Sequence, residues 1–423
     1  MKAKETEGAE RHFEDFAPRN GGADLFEKVN QLDAYLQNAA PGFLDGLGLQ
    51  IDGPVTGRVP IRENDGTVHE AIMLGSNSYL SLTTHPRVVA AAREALERYG
   101  YGMGAVSLYA GTSPLHRELE RQIAVFYGAE EAILFPCGYS GNVGVISALC
   151  GAGDVVLNDS ANHASIFDGT ILSGATCGVF LHRNMRHLER LLQRLPAAVK
   201  GRLIVTDGVF SMDGDVAPLE QIVELAARYG ARVMVDEAHA VGVIGPTGRG
   251  TSEKCGCQGR VDITYGTLSK APGAVGGYVA GSAALVRYLR YYARTYFFST
   301  SMPAPIVAGL IEVFKLMRED AAGRAQLWGN VRYLRAGLDA LGFNTGSTES
   351  AIIPVIVGDE DKLAAFHNDL RKNGVFTNVV TYPAVRRKEC RLRVSVMSAL
   401  TRHDMDQALG VFSASGRRRG IVS

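Results

Sequence analysis

Apolar residues along the chain fall into two alternating patterns. Short, nearly continuous apolar runs occur at Ala132-Ile-Leu-Phe135, Asp154-Val-Val-Leu-Asn158, Cys177–Leu181, Arg202-Leu-Ile-Val-Thr206, Val233-Met-Val-Asp236 and Gly277-Tyr-Val-Ala280. Most are followed by a stretch of helical periodicity, as at 143–149, 185–195 and 219–229. Runs that are apolar at nearly every position suit strands buried on both faces, and their alternation with helices predicts an α/β fold with a mainly parallel sheet covered on both sides. Before this region, Leu25, Phe26, Val29, Leu32 and Leu36 recur at helical spacing and predict an amphipathic helix over 23–36. Residues 1–22 are charged and glycine-bearing and are expected to be a mobile lead-in, and 52–70 read as short strand pieces broken by Gly and Pro. A helix-rich run at 307–341 leads to a smaller α+β domain with strands near 352–357, 375–380 and 391–396. The expected division is an N-terminal segment over 1–70, a large domain over 71–306, and a connecting helix with a small domain over 307–423.

Composition narrows the class. Hydrophobic residues make up 46% and charged residues 21% of 423 positions, as in ordinary globular enzymes. Lys plus Arg and Asp plus Glu both number 44, so no net field draws nucleic acid or anionic membrane. The six cysteines show no CxxC spacing, and Cys255-Gly-Cys257 has no His partner at finger spacing, so no metal site is expected. The N-terminus lacks the apolar core of a secretory signal. The apolar stretch 303–317 is interrupted by Glu312 and Lys315, so no membrane span is expected and the expected location is cytoplasmic.

Candidate chemistry concentrates on two strand ends. Asp236-Glu-Ala-His239 delivers a carboxylate and an imidazole, and Gly266-Thr-Leu-Ser-Lys270 delivers hydroxyls and a lysine. In an open α/β sheet, ligands sit at the carboxyl ends of the strands. A lone lysine after a strand is ordinarily a solvated loop residue. The pairing with Asp-x-x-His points instead to pyridoxal 5'-phosphate, with Lys270 as its Schiff-base amine and Asp236 on the pyridine nitrogen. Cys137-Gly-Tyr-Ser-Gly-Asn142, between a strand and a helix, is either a tight turn or an anion cradle for the phosphate. Gly100-Tyr-Gly-Met-Gly104 follows a helix and fails the context of a dinucleotide fingerprint. His163 is either a hydrogen-bonded core histidine or a ring that stacks on a flat cofactor. Arg391 and Arg393, on one face of a strand, are either surface residues or a fork for a substrate carboxylate.

Taken together, these motifs resemble the α-oxoamine synthase family of fold-type I pyridoxal-phosphate enzymes, with the strongest likeness to bacterial serine palmitoyltransferases. Ser76-Asn-Ser-Tyr-Leu80, Asn162-His-Ala-Ser165, Asp207-Gly-Val-Phe-Ser-Met-Asp-Gly214 and Ser299-Thr-Ser-Met-Pro303 complete the set, which spans 25–409. The resemblance implies a homodimer with active sites at the subunit interface. It implies Lys270 as Schiff-base lysine and proton-transfer base, Asp236 on the ring nitrogen, His239 at the ring hydroxyl and His163 stacked on the ring. It places the phosphate on Thr267 and the amides of Gly138 and Tyr139, with Thr300 contributed across the dimer. Ser211 is implied near the ring hydroxyl and the acyl carbonyl, Arg393 at the amino acid's carboxylate, and Asn77 near the substrate. The implied reaction joins an L-amino acid (serine, alanine or glycine) to an acyl thioester, carried by CoA or a carrier protein. It releases CO2 and thiol and leaves an α-amino ketone.

The chain departs from the family's usual pattern at Ser81, at Ala105-Val-Ser-Leu108, at Ala271-Pro272 and at Ala240, positions that line or flank the substrate side. The catalytic set is kept, and the choice of amino acid and acyl chain stays open. Two rival readings remain at this level: an aminotransferase on the same fold, and a non-catalytic partner subunit, against which the presence of Lys270 counts.

Overall fold

The computed structural model describes residues 24–38 and 47–423. Three N-terminal strands come first: β1 (Gln50–Ile51), β2 (Arg58–Arg62) and β3 (Val68–Met73). The central sheet follows, with β4 (Glu131–Phe135), β5 (Val155–Asp159), β6 (Thr176–Phe180), β7 (Arg202–Asp207), β8 (Arg232–Asp236), β9 (Ile263–Thr267) and β10 (Gly277–Gly281). The C-terminal strands are β11 (Ile352–Ile356), β12 (Val375–Phe376), β13 (Asn378–Val380) and β14 (Arg391–Ser395).

The seven central strands are ordered β4-β10-β9-β8-β7-β5-β6. β9, β8, β7, β5 and β6 are parallel to one another, and β10 alone runs antiparallel to both its neighbours. β5, β7 and β8 are buried at nearly every position, as expected of strands covered on both faces. The helices Gly138–Leu149, Ala164–Ser173, Met185–Arg194 and Leu219–Tyr229 supply that cover. Register then sets the site. Asp207 on β7 lies beside Asp236 on β8, Asp236 lies beside Tyr265 on β9, and Thr267 lies beside Gly277 on β10.

The helices Ala304–Glu319 and Ala321–Ala340 lead to the antiparallel sheet β11-β14-β13. β12 does not join it. It pairs in parallel with β3, closing a sheet β1-β2-β3-β12 from the two ends of the chain. One core cluster accordingly holds Ile61 and Ile72 together with Leu334, Phe366, Val394 and Phe412. The stretch 375–380, expected as one strand, is therefore two short strands in different sheets, because Thr377 marks the point where the chain changes partner. The N-terminal helix is Glu27–Asn38, and the expected lead-in over 1–22 lies outside the described residues. Among the described residues no helix is long and apolar enough to cross a membrane.

Candidate active site

A cavity of about 280 Å³ opens at the carboxyl ends of β7, β8 and β9. One wall is the start of the helix Gly138–Leu149, which begins five residues earlier than its apolar pattern suggests, with Cys137 as N-cap accepting from Ser140 N. The amides of Gly138 and Tyr139 have no acceptor among the described residues. They stand at the positive end of the helix dipole, a natural seat for an anion. Gly138 is close-packed on β9: a Cβ there would lie 2.6 Å from Thr267 Oγ1. Thr267 Oγ1 donates to Gly276 O at 3.1 Å and lies 2.8 Å from Ser269 Oγ, and both residues line the same cavity as Gly138 and Tyr139. Beneath the turn, the Tyr265 hydroxyl donates to Gly138 O. Helix start and strand end together thus line the cavity with N–H and O–H groups.

Lys270 enters from the loop after β9. Burial draws its amine below the usual lysine range, while the neighbouring Asp236 carboxylate opposes the shift. Asp236, 5% exposed, accepts from Asn142 Nδ2 at 2.8 Å through Oδ2 and from Ala238 N at 2.9 Å through Oδ1. Both bonds fix the carboxylate's plane. His239 Nδ1 lies 2.7 Å from the Tyr79 hydroxyl, and burial holds the imidazole neutral, well below its ordinary pKa. His163 caps the helix Ala164–Ser173 by accepting from Ser165 N; burial lowers its pKa too, and its ring meets Tyr139 edge-on at 6.1 Å.

Arg393 on β14 is 6% exposed. Its guanidinium donates to Ser211 O at 2.6 Å, Asn77 Oδ1 at 3.1 Å, Ser395 Oγ at 3.3 Å and the Tyr79 hydroxyl at 3.5 Å. Every one of these acceptors is neutral, and Arg393 forms no ion pair among the described residues. A buried cation without a counterion is poised for a carboxylate. Arg391 is different. Its Nη1 reaches Asp213 Oδ1 at 2.5 Å, so the two arginines do not form one fork.

Lys270, Asp236, His239, His163, Gly138, Tyr139, Thr267 and Ser211 all line the cavity; Arg393 and Asn77 adjoin it through Ser211 and Tyr79. Thr300 is exposed, bridges Val106 through its backbone and does not line the cavity of its own chain. Asn142, Ser165, Tyr79 and Asp207 are brought in by the fold without having been assigned a part in the sequence. Asn142 sits 94 residues from Asp236, and its one signal is a buried amide on a helix otherwise made of small and apolar residues.

The residues fit pyridoxal phosphate on the donor chemistry alone: free amides and hydroxyls for a dianion, a fixed carboxylate for a protonated ring nitrogen, and a buried amine for the aldehyde. Fold and site together define a fold-type I pyridoxal-phosphate transferase. The model of the family "Aminotransferase class I and II" matches residues 69–412, and the chain belongs to that family, in its α-oxoamine synthase branch. It is 44% identical to the 8-amino-7-oxononanoate synthase of Thermoanaerobacter pseudethanolicus over 84% of this chain and 89% of that protein. It is 41% identical to the 4-hydroxy-2,2'-bipyrrole-5-methanol synthase PigH of Serratia sp., over 94% of this chain and 61% of that protein. A serine palmitoyltransferase from S. paucimobilis, solved with a bound pyridoxal phosphate–myriocin adduct, superposes with a TM-score of 0.89 at 35% identity, covering 95% of this chain and all of that one.

Proposed function

We infer that the protein is a pyridoxal-phosphate-dependent α-oxoamine synthase, an acyltransferase that joins an L-amino acid to an acyl thioester with loss of CO2 and release of thiol. The observation that carries this is the meeting, around one cavity, of Lys270, the doubly bonded Asp236, the Gly138–Thr267 anion seat and the counterion-free Arg393. Identity above 40% to synthases of this branch over most of the chain supports it.

The phosphate is assigned to Thr267, Ser269 and the amides of Gly138 and Tyr139. Bound pyridoxal phosphate supplies an electron sink that stabilises negative charge at the amino acid's Cα. Asp236, oriented by Asn142 and Ala238 N, holds the ring nitrogen's proton. His163 covers the ring, and neutral His239, steadied by Tyr79, meets its hydroxyl oxygen. Arg393 and Asn77 bind the substrate carboxylate, which orients the Cα–H bond toward Lys270. Lys270, whose proton affinity burial has lowered, takes that proton and later returns one. Ser211 is placed by its carbonyl bond to Arg393, and its hydroxyl, without a hydrogen-bond partner among the described residues, is left for the acyl carbonyl. The amino acid is small (glycine, alanine or serine), and the acyl carrier is CoA or a carrier protein. The working unit is a cytoplasmic homodimer in which Thr300 of one protomer reaches its partner's site.

Glycine, alanine and serine offered with acyl-CoA and acyl-carrier thioesters of graded length test the reading. Free thiol and CO2 released in equal amounts support it. No thiol from any pair, together with amino-group transfer to a 2-oxo acid, would favour an aminotransferase.

A further inference from the structure

Asp207 and Asp236 end two adjacent parallel strands and are register partners. Both side chains face the same cavity and both are buried, at 4% and 5% exposure. Their surroundings are unequal. Asp236 accepts two N–H bonds, from Asn142 and Ala238. Asp207 Oδ1 is sealed from solvent and has no hydrogen-bond partner among the described residues. Neighbouring buried carboxyls do not both ionise without cost, and N–H donors favour whichever one they reach.

We propose that Asp207 carries a proton in the working site, so that Lys270 faces one carboxylate and one carboxylic acid rather than two carboxylates. The groups facing Asp207 are Asp236 on β8, Lys270 after β9, Asp159 on β5 and the His163 backbone N–H. Burial pushes the Asp207 carboxyl well above its usual range; Asp236 and Asp159 push the same way, and Lys270 and the His163 amide oppose. The consequence falls on the lysine. An ionised Asp207 would add a second counter-charge and raise the proton affinity of Lys270, favouring the ammonium form that cannot take a proton. A neutral Asp207 leaves Asp236 as the single carboxylate, reserved for the ring nitrogen. Asp207 is thus a tuning residue for Lys270. This rests on the assignment of Lys270 as the proton-transfer base.

Infrared spectra of the full chain, grown with and without carboxyl-13C aspartate, test the proposal at neutral pH. The label separates aspartate from the buried Glu237, which burial also raises, to about 7. The expected result is a protonated-carboxyl stretch that moves with the label and is absent from Asp207→Asn. No label-sensitive band in the wild type, or a band undiminished in Asp207→Asn, overturns it. Should that variant fail to fold, Asp207→Glu serves, because the unlabelled glutamate removes the label-sensitive band. In protein loaded with cofactor, the pH midpoint of the visible absorbance stays in place in Asp207→Asn. A midpoint lower by about one unit or more would mean that a charge had been lost, and that Asp207 was ionised. The ligand-free spectra do not depend on Lys270's role, so their failure leaves that assignment standing.

Discussion

Asn142 Nδ2 donates to Asp236 Oδ2 at 2.8 Å, and this bond joins the helix Gly138–Leu149 to the last residue of β8. The same amide donates to Ser165 Oγ at 3.0 Å, which lies 2.8 Å from His163 Nδ1. Asp236, Asn142, Ser165 and His163 are therefore held in one hydrogen-bonded chain.

Breaking that chain should loosen the cofactor. A hydrogen bond to a charged group contributes about 1.5–3 kcal/mol, so Asn142→Ala should weaken pyridoxal-phosphate affinity by roughly 10-fold to 100-fold. Titration of the ligand-free protein followed by visible absorbance reads this directly. Unchanged affinity would show that Asn142 does not orient Asp236.

The glycine at the helix start should be needed for binding more than for folding. Gly138→Ala places a methyl 2.6 Å from Thr267 Oγ1, in the proposed phosphate seat. Overpacking of this kind costs about 1–3 kcal/mol. We expect a folded protein with a modestly lowered Tm that no longer retains cofactor through gel filtration. Normal retention would move the phosphate elsewhere.

Much of this arrangement is legible before any coordinates. Apolar runs such as Val233–Asp236 fix strand ends, and strand ends place Asp236 and Lys270 together. What the pattern hides is pairing over long sequence distance. β12 joins β3 across some three hundred positions, and no local signal marks it. Asn142 and Tyr79 are hidden for the same reason, since their partners lie far along the chain. Ser81 shows the converse. At this departure from the family's usual pattern φ is 54°, a left-handed conformation, and Oγ accepts from Ala399 N at 3.1 Å and from Ser398 Oγ at 3.2 Å. Its hydroxyl ties the turn to the 398–399 segment.

Arg393 should discriminate by charge. Removing one partner of a buried ion pair costs about 3–5 kcal/mol. Arg393→Ala should therefore raise the KM for the amino acid by at least about 10²-fold. The wild type should bind the corresponding amino acid amide poorly, and the variant should show little preference between acid and amide. An undiminished preference in the variant would place the carboxylate elsewhere.

His182 should give stability a pH dependence of known sign. Burial alone would lower its pKa, but bonds to Asp159 and Asp215, each 2.9 Å, overcome this and raise it from 6.5 to about 10. The charged form is favoured in the folded state, so its stabilisation is complete below pH 6.5 and is lost as pH rises through about 10. The Tm difference between wild type and His182→Gln should be largest near pH 6 and shrink toward pH 10. A difference constant across that range would contradict the assignment.

The identity of the cofactor-bearing amine is the measurement on which most depends. Protein loaded with pyridoxal phosphate, reduced with borohydride and digested, should yield a phosphopyridoxyl group on the peptide containing Lys270, and Lys270→Ala should yield none. The label on any other lysine, or no label on the wild type, would contradict the account.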